Sequence, residues 1–118
     1  MTEQIIGCAI KVHRTLGAGF IESIYENAMV IELSKAGLRT ARQVVYPVLY
    51  DGVLVGEHRA DIVVENSVVL ELKAVSELNS QHVSQVMSTL KAASIRLGLL
   101  MNFHDTKLVN GLRRVIVD

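Results

Sequence analysis

The spacing of hydrophobic residues predicts two helices at the start of the 118-residue chain. Apolar positions in residues 3–16 recur at intervals of three and four, with charged residues between them, as in an amphipathic helix. The segment Gly17-Ala18-Gly19 interrupts this pattern, and a second helical stretch follows from about residue 20 to residue 36. We place the buried stripe of this second helix at Ile24, Ala28, Ile31 and Leu33.

From residue 38 onwards the hydrophobic period is that of β-strands. Residues 44–50 and 53–57 are apolar runs that flank Asp51-Gly52, a strong two-residue hairpin signal. Pro47 cannot donate a ladder hydrogen bond, so we expect it at a sheet edge or a bulge. The chain continues into a second hairpin over residues 59–74. We therefore predict three or four antiparallel strands in a meander.

The last third of the chain has one helical segment and two strand segments. Residues 77–95 have helical spacing, residues 95–103 have the composition of a buried strand, and residues 112–117 form a final strand. A strand–helix–strand unit usually makes a parallel crossover. These elements predict an α/β (α+β) fold, with residues 1–118 forming one domain.

The hairpin over residues 59–74 concentrates charged side chains on one face. Folding it about Asn66 places Asp61 opposite Glu71, and side chains alternate between the two faces of a strand. Asp61, Glu71 and Lys73 therefore share one face. The other face is uniformly apolar and consists of Ile62, Val64, Val68, Leu70 and Leu72.

Two carboxylates and an amine on one face suit phosphodiester hydrolysis. Asp61 and Glu71 on neighbouring strands can hold Mg²⁺ or Mn²⁺ through oxygen ligands, with the backbone carbonyl of Leu72 and water as further ligands. Lys73 can position the attacking water or stabilise the developing charge. The structural alternative is an ordinary cross-strand ion pair on a solvated face, and these residues alone do not separate the two interpretations.

Glu22 is a further acidic candidate at the start of the second helix. It could be a third acidic metal ligand or could orient the attacking water, whereas its structural explanation is a favourable interaction with the helix N-terminus. Tyr25 follows one turn later. Its hydroxyl could lie near Glu22 and the substrate, or its ring could simply cover the core.

Three more side chains are candidates for substrate contact. On the third helix His82 and Gln85 share a face with Thr89, away from the apolar stripe. Gln85 could contact the attacking water or a phosphate, and His82 could contact the substrate or the metal, with simple solvent exposure as the alternative for both. Arg59, a cation at the start of the charged hairpin, is a candidate phosphate contact. The other histidines, His13, His58 and His104, have no recognisable partners in the sequence.

The composition of the chain argues against several classes of protein and of binding site. Twelve basic and twelve acidic residues cancel, so the chain lacks the basic excess of an obligate nucleic-acid binder. Cys8 is the single cysteine, which excludes an internal disulfide and a zinc site built on several cysteines, and we expect it to be buried. Charged residues interrupt the N-terminal apolar positions, so we predict no signal peptide and a cytoplasmic protein.

Several of these residues together match a known pattern. The segment Gly19-Phe20-Ile21-Glu22-Ser23-Ile24-Tyr25 has a Gly-x-x-Glu-x-x-Tyr signature and resembles the GxxExxY protein family. The resemblance continues in order through Asp61, Glu71-Leu72-Lys73, His82-x-x-Gln85 and residues 97–103. That family is similar to the PD-(D/E)XK nuclease superfamily.

The resemblance implies a restriction-endonuclease-like fold, in which helices flank a mixed central sheet, and a metal-dependent nuclease. Such a hydrolase would cleave phosphodiester bonds in DNA or RNA with Mg²⁺ or Mn²⁺. The resemblance also implies that Asp61, Glu71 and Lys73 are active-site residues. Glu22 would then be the acid of an early helix, and Gln85 the polar residue of the helix after the core strands.

Two positions depart from the family pattern. Ala60 precedes Asp61 where the superfamily name has proline, which removes no ligand, and Thr89 stands where the family often has an aromatic ring. The alternative function is a non-catalytic module that keeps the nuclease fold and binds nucleic acid or protein. A homodimer is a further hypothesis, and its candidate contacts are Pro47, Val53 and Val55.

Overall fold

The computed structural model describes residues 1–118 and contains three α-helices and five strands. Two helices precede the sheet, and the third lies between strands. The elements are α1 (Thr2–Leu16), α2 (Glu22–Lys35), β1 (Thr40–Tyr50), β2 (Val53–Val64), β3 (Val68–Lys73), α3 (Ser80–Ala93), β4 (Leu97–Asn102) and β5 (Leu112–Ile116), with a short 3-10 turn at Leu108–Gly111 before β5. None of the α-helices combines the length and the apolar character that a membrane-spanning segment requires.

The five strands form one mixed sheet in the order β1-β2-β3-β4-β5. The first three are antiparallel, β4 is parallel to β3, and β5 is antiparallel to β4. This mixed α+β architecture is consistent with a restriction-endonuclease-like fold and confirms the prediction. The meander has three strands because β2 runs without a break from Val53 to Val64. Pro47 lies on the edge strand β1, beside a bulge between Val48 and Leu49, as predicted.

The β2–β3 hairpin has the predicted register. Ile62 pairs with Leu70 and Val64 with Val68. Glu65 and Asn66 both have positive φ values, 52° and 53°, and the N–H of Ser67 donates to the carbonyl of Val64 at 2.9 Å, so a tight turn closes the hairpin. The even-numbered apolar side chains of both strands therefore share one face.

Helices cover both faces of the sheet. The even-numbered residues of β2 and β3 pack with α1 and α2 in one hydrophobic cluster, which also holds the buried Cys8. Val63 and Val69 pack instead with Val86 and Leu90 of α3 in a second cluster. Because Glu71 alternates with Leu70 and Leu72, it lies on the α3 face of β3. The helices that carry Glu22 and Gln85 therefore pack on opposite faces of the sheet.

The buried stripe of α2 is shifted from the predicted one. Tyr25, Met29 and Leu33 are buried, whereas Ile24 is 37% exposed and Ile31 58% exposed. The buried face of α2 differs from the predicted one because the Tyr25 ring stacks on the ring of Phe103, which follows β4. Local spacing cannot reveal this contact. Similarly, α3 begins at Ser80 rather than at residue 77, because Asn79 caps its N-terminus.

Candidate active site

The charged cluster lies where β2 and β3 separate. Their paired residues run from the turn to Ile62 and Leu70 and stop there. One step beyond, Asp61 Oδ2 accepts a hydrogen bond of 2.8 Å from the backbone N–H of Leu72. If the two strands stayed paired, a backbone carbonyl of β2 would accept from this N–H group. The side-chain carboxylate of Asp61 takes its place.

The backbone carbonyl of Leu72 points towards the same side. The N–H and C=O groups of one strand residue are directed at the same neighbouring strand. The backbone carbonyl of the next residue, Lys73, is directed to the opposite side of β3, where it accepts from the N–H of Phe103 at 2.8 Å. The Leu72 carbonyl is therefore directed towards β2, where Asp61 lies.

Glu71 has a buried oxygen without a partner. Its Oε1 is shielded from solvent and forms no hydrogen bond. The pKa of Glu71 is raised to about 8, first by burial and then by the negative charge of Asp61, while the Asp61 backbone N–H and Lys73 offset only part of the effect. A buried carboxyl oxygen without a hydrogen-bond partner costs folding free energy, and perturbed carboxyl groups concentrate at functional sites.

The pKa of Asp61 is also raised. Burial raises the pKa of Asp61, the hydrogen bond from Leu72 lowers it, and the negative charge of Glu26 raises it. The effect is one-sided: the charge of Asp61 raises the pKa of Glu71, whereas the side-chain hydrogen bond with Glu71 lowers the pKa of Asp61. A divalent cation between them would reverse this relation, since both negative charges would then be neutralised.

Glu26 is the acid of α2 that influences Asp61, and it is absent from the sequence-based candidates. It is buried, its Oε2 accepts from Arg42 Nε at 3.0 Å, and its Oε1 accepts from Gln43 Nε2 at 2.6 Å. These partners come from β1, so no local pattern reveals them. The available signal was that Glu26 follows Glu22 by four residues and therefore lies on the same helix face.

The structure does not gather Glu22 with Asp61 and Glu71. Glu22 is the exposed first residue of α2, and no three His, Cys, Asp or Glu side chains form a group that could hold a metal ion. The expected set of three carboxylate ligands is therefore not formed. The physical reason is that Glu22 lies at the exposed start of α2, which packs on the sheet face opposite Glu71. Glu26, one turn further along, is the α2 carboxylate whose charge acts on Asp61.

Lys73 ends β3 beside Asn102 of β4. Lys73 is half-buried and belongs to none of the five ion pairs of the chain. The fully buried Asn102 side chain accepts from the N–H of Val75 at 3.1 Å and donates to its carbonyl at 2.8 Å. This clamp holds the chain just after Lys73, and sequence reasoning missed it because the two residues are 27 positions apart.

Tyr25 is a core residue in this structure. Its ring stacks on Phe103 with centroids 4.5 Å apart, and it has no exposed surface. Its hydroxyl donates to the carbonyl of Gly17 and accepts from the N–H of Phe20 at 3.2 Å. Tyr25 therefore secures the turn between α1 and α2, and the expected substrate contact has no exposed surface to use.

His82 and Gln85 occupy the first two turns of α3. The N–H of His82 donates to Asn79 Oδ1 and the N–H of Asn79 donates to His82 Nδ1, both at 3.1 Å, as in a capping box. One ring nitrogen of His82 is thus committed to the helix cap. The Gln85 side chain is exposed, as is Arg59 on β2.

Thr89 does not share the solvent exposure of Gln85. It is buried, and its hydroxyl donates to the Gln85 carbonyl at 3.0 Å and lies 3.1 Å from His58 Nδ1. His13 likewise has a distant partner, since its Nε2 lies 2.7 Å from the carbonyl of Asp105. Both histidines acquire these partners from segments that are distant in the sequence.

Comparison with known proteins gives one match. A family model described as the PD-(D/E)XK nuclease superfamily matches residues 1–115. No curated protein and no solved structure matches the chain.

Proposed function

The chain belongs to the PD-(D/E)XK nuclease superfamily, and on this premise we propose that it hydrolyses phosphodiester bonds in DNA or RNA with Mg²⁺ or Mn²⁺. The observation that carries the proposal is the buried Glu71 Oε1, which lacks any hydrogen-bond partner, beside the carboxylate of Asp61. A structural ion pair would instead satisfy this oxygen.

The donor set fits a hard divalent cation. Asp61 and Glu71 supply carboxylate oxygens and Leu72 supplies a carbonyl, the oxygen ligands that Mg²⁺ and Mn²⁺ prefer, with water completing the shell. When bound, the cation would neutralise charge at the phosphate and act as a Lewis acid. Two side-chain ligands suffice for Mg²⁺, so the absence of a third carboxylate does not conflict with this assignment.

The remaining residues act on the substrate and on the two ligands. The Lys73 ammonium, on the same strand face as Glu71, positions the attacking water and stabilises the negative charge that develops on the phosphate. Glu26 is a positioning residue, because its charge acts on Asp61 while Arg42 holds it in place. Gln85 is assigned to the attacking water or a phosphate.

The remaining candidate residues are Arg59, His82, Glu22 and Tyr25. Arg59 and the free ring nitrogen of His82 are assigned to substrate phosphates, and Glu22 to an outer position at the start of α2. We also propose that the chain belongs to the GxxExxY branch, in which Tyr25 would serve the turn between the first two helices. A cytoplasmic location stays a prediction.

The second candidate function is a non-catalytic module that binds nucleic acid or protein. The neutral net charge of the chain favours the protein-binding form of this module, because strong nucleic-acid binding is driven largely by basic residues. Metal binding separates the two candidates: a module that has lost its chemistry has no need of a cation at Asp61 and Glu71.

The cleavage assay uses purified protein, Mn²⁺, and single- and double-stranded DNA and RNA. We expect Lys73→Ala to lower the cleavage rate by about 10²-fold or more, as for loss of a group that stabilises the transition state. Its thermal stability and Mn²⁺ affinity should stay close to those of the unmodified chain. Lys35→Ala is the matched control, because Lys35 is an exposed lysine on α2.

Two results would contradict the proposal. Equal cleavage by the Lys73→Ala protein and the unmodified protein would remove Lys73 from the mechanism. Absence of cleavage of all four substrates by the unmodified protein would favour the non-catalytic module.

A further inference from the structure

The outer half of the β1–β2 hairpin, residues 48–56, is an exposed apolar surface, and we call it the distal hairpin. Its large apolar side chains are between 59% and 71% exposed and comprise Leu49, Tyr50, Val53, Leu54 and Val55. Asp51, in the turn, is the single charged residue between residues 44 and 56. Exposed apolar patches of this kind mark interaction sites.

The edge of β1 is poorly suited to pairing with another strand. Pro47 lacks an N–H group, and a bulge interrupts the register between Val48 and Leu49. Natural sheets use both devices to prevent edge-to-edge association. A partner of the distal hairpin must therefore contact its side chains rather than extend the sheet.

A groove at the base of the same hairpin offers a complementary surface. It has a volume of about 490 Å³, lies between the hairpin and α3, and is lined by Pro47, Val48, Leu49, His58, Ser88, Lys91 and Ala92. Lys91 forms none of the ion pairs of the chain, and neither does Asp51. One unpaired cation thus lies in the groove and one unpaired anion at the hairpin tip.

We propose that the distal hairpin binds a second copy of this chain, with each hairpin tip in the groove of the other subunit. In a two-fold dimer the same patch is used twice, so Asp51 of each copy faces Lys91 of the partner subunit. Three residue steps separate Pro47 from Tyr50, which is roughly 10 Å at ~3.4 Å per residue. Two hairpins that overlap antiparallel by this length place each tip beside the other base.

The exposed area agrees with what a stable dimer needs. A standard interface buries about 800 Å² per partner, of which roughly 60% is apolar, or about 500 Å². Four half-exposed aliphatic side chains and one tyrosine supply roughly 400–500 Å². These side chains lie on both faces of the hairpin, because Leu49 pairs with Leu54 and Tyr50 with Val53. A second copy therefore covers the whole patch when the tip is inserted between the hairpin and α3 of that copy.

Sedimentation equilibrium of the full chain, without metal or nucleic acid, tests the proposal independently of cleavage. We expect a mass of twice the 13.0 kDa chain at micromolar concentration. Leu54→Lys should raise the dimer dissociation constant at least about tenfold, because it places a charge in the apolar contact. Ile31→Lys is the matched control on α2, where the side chain is 58% exposed, and it should leave the dissociation constant unchanged.

A double-mutant cycle tests the charge pair. Lys91→Glu should weaken the dimer at least about tenfold in the unmodified chain, because it places two negative charges together, but less than about threefold in an Asp51→Asn background. Asparagine keeps the turn because it tolerates the positive φ of 52° at this position. A monomer at 100 μM (roughly a hundredfold above a micromolar dissociation constant), equal weakening by Ile31→Lys, or equal effects of Lys91→Glu in both backgrounds would each overturn the proposal.

Discussion

Two glutamates on the β2–β3 hairpin have opposite environments. Glu65, in the turn, accepts from the backbone N–H of Arg39 at 2.6 Å and from its guanidinium at 3.2 Å, and these bonds lower the pKa of Glu65. Glu71, on β3, has an oxygen with no partner and a pKa raised to about 8. Both are the same residue type on one hairpin, yet one carboxylate stabilises the fold and the other destabilises it.

This difference indicates which of the two carboxylates has a functional role. A charge that serves only the fold is provided with a partner, as Glu65 is by Arg39. A carboxyl group whose burial is uncompensated has to be explained by something outside the folded chain. A cation shared by Glu71 and Asp61 provides that explanation, and the following predictions use Glu65 as the internal control.

The largest expected effect is on cleavage. Glu71→Gln keeps the size of the side chain but removes the negative charge, so we expect the Mn²⁺-dependent cleavage rate to fall by about 10²-fold or more. Glu65→Gln removes the same charge from the turn and should change the rate less than about twofold, as expected for a group outside the site. Equal losses in the two variants would remove the distinction between the two glutamates.

A smaller effect is expected on stability as the pH changes. The pKa of Glu71 is about 8 in the folded chain and near 4.5 in the unfolded chain, so between these values the folded state holds more protons. The free energy of unfolding should therefore fall as the pH rises from about 5 to 8, by at most ~1.4 kcal/mol per pH unit. Asp61 contributes in the same direction, because its pKa is also raised.

Denaturant unfolding at several pH values, with a metal chelator present, measures this slope. Glu71→Gln should flatten the curve, because glutamine cannot ionise, and should be more stable than the unmodified chain at pH 8. Glu65→Gln should retain the slope above pH 5, since the lowered pKa of Glu65 affects stability only in more acidic solution. An unchanged slope in Glu71→Gln would show that burial of this carboxyl group has no thermodynamic cost.

Sequence reasoning was most successful where the structure is local. The turn at Asn66 and the alternation of side chains determine the register of β2 and β3, so the common face of Asp61 and Glu71 could be predicted. The edge position of Pro47 followed from its missing N–H in the same way. Both depend on residues close together in the chain.

The rest depended on contacts between distant segments. Tyr25 stacks on Phe103, 78 positions away, and this contact determines which face of α2 is buried. On that face Glu26, rather than Glu22 at the exposed start of the helix, is the acid whose charge acts on Asp61. Neither the environment of Glu26 nor the hydrogen bond between His58 and Thr89 has a local signal. The candidate site could therefore be predicted on the sheet but not on the helices that cover it.

Calorimetric titration with Mn²⁺ at pH 7, repeated in buffers of different ionisation enthalpy, tests the central claim most directly. We expect one cation to bind with release of close to one proton, because Glu71 is mostly protonated at this pH and must ionise to coordinate the metal. Proton release should be nearly absent at pH 9, and Glu71→Gln should show no binding. Mn²⁺ binding with equal heat and no proton release in both proteins would contradict the assignment of Asp61 and Glu71 as the metal site.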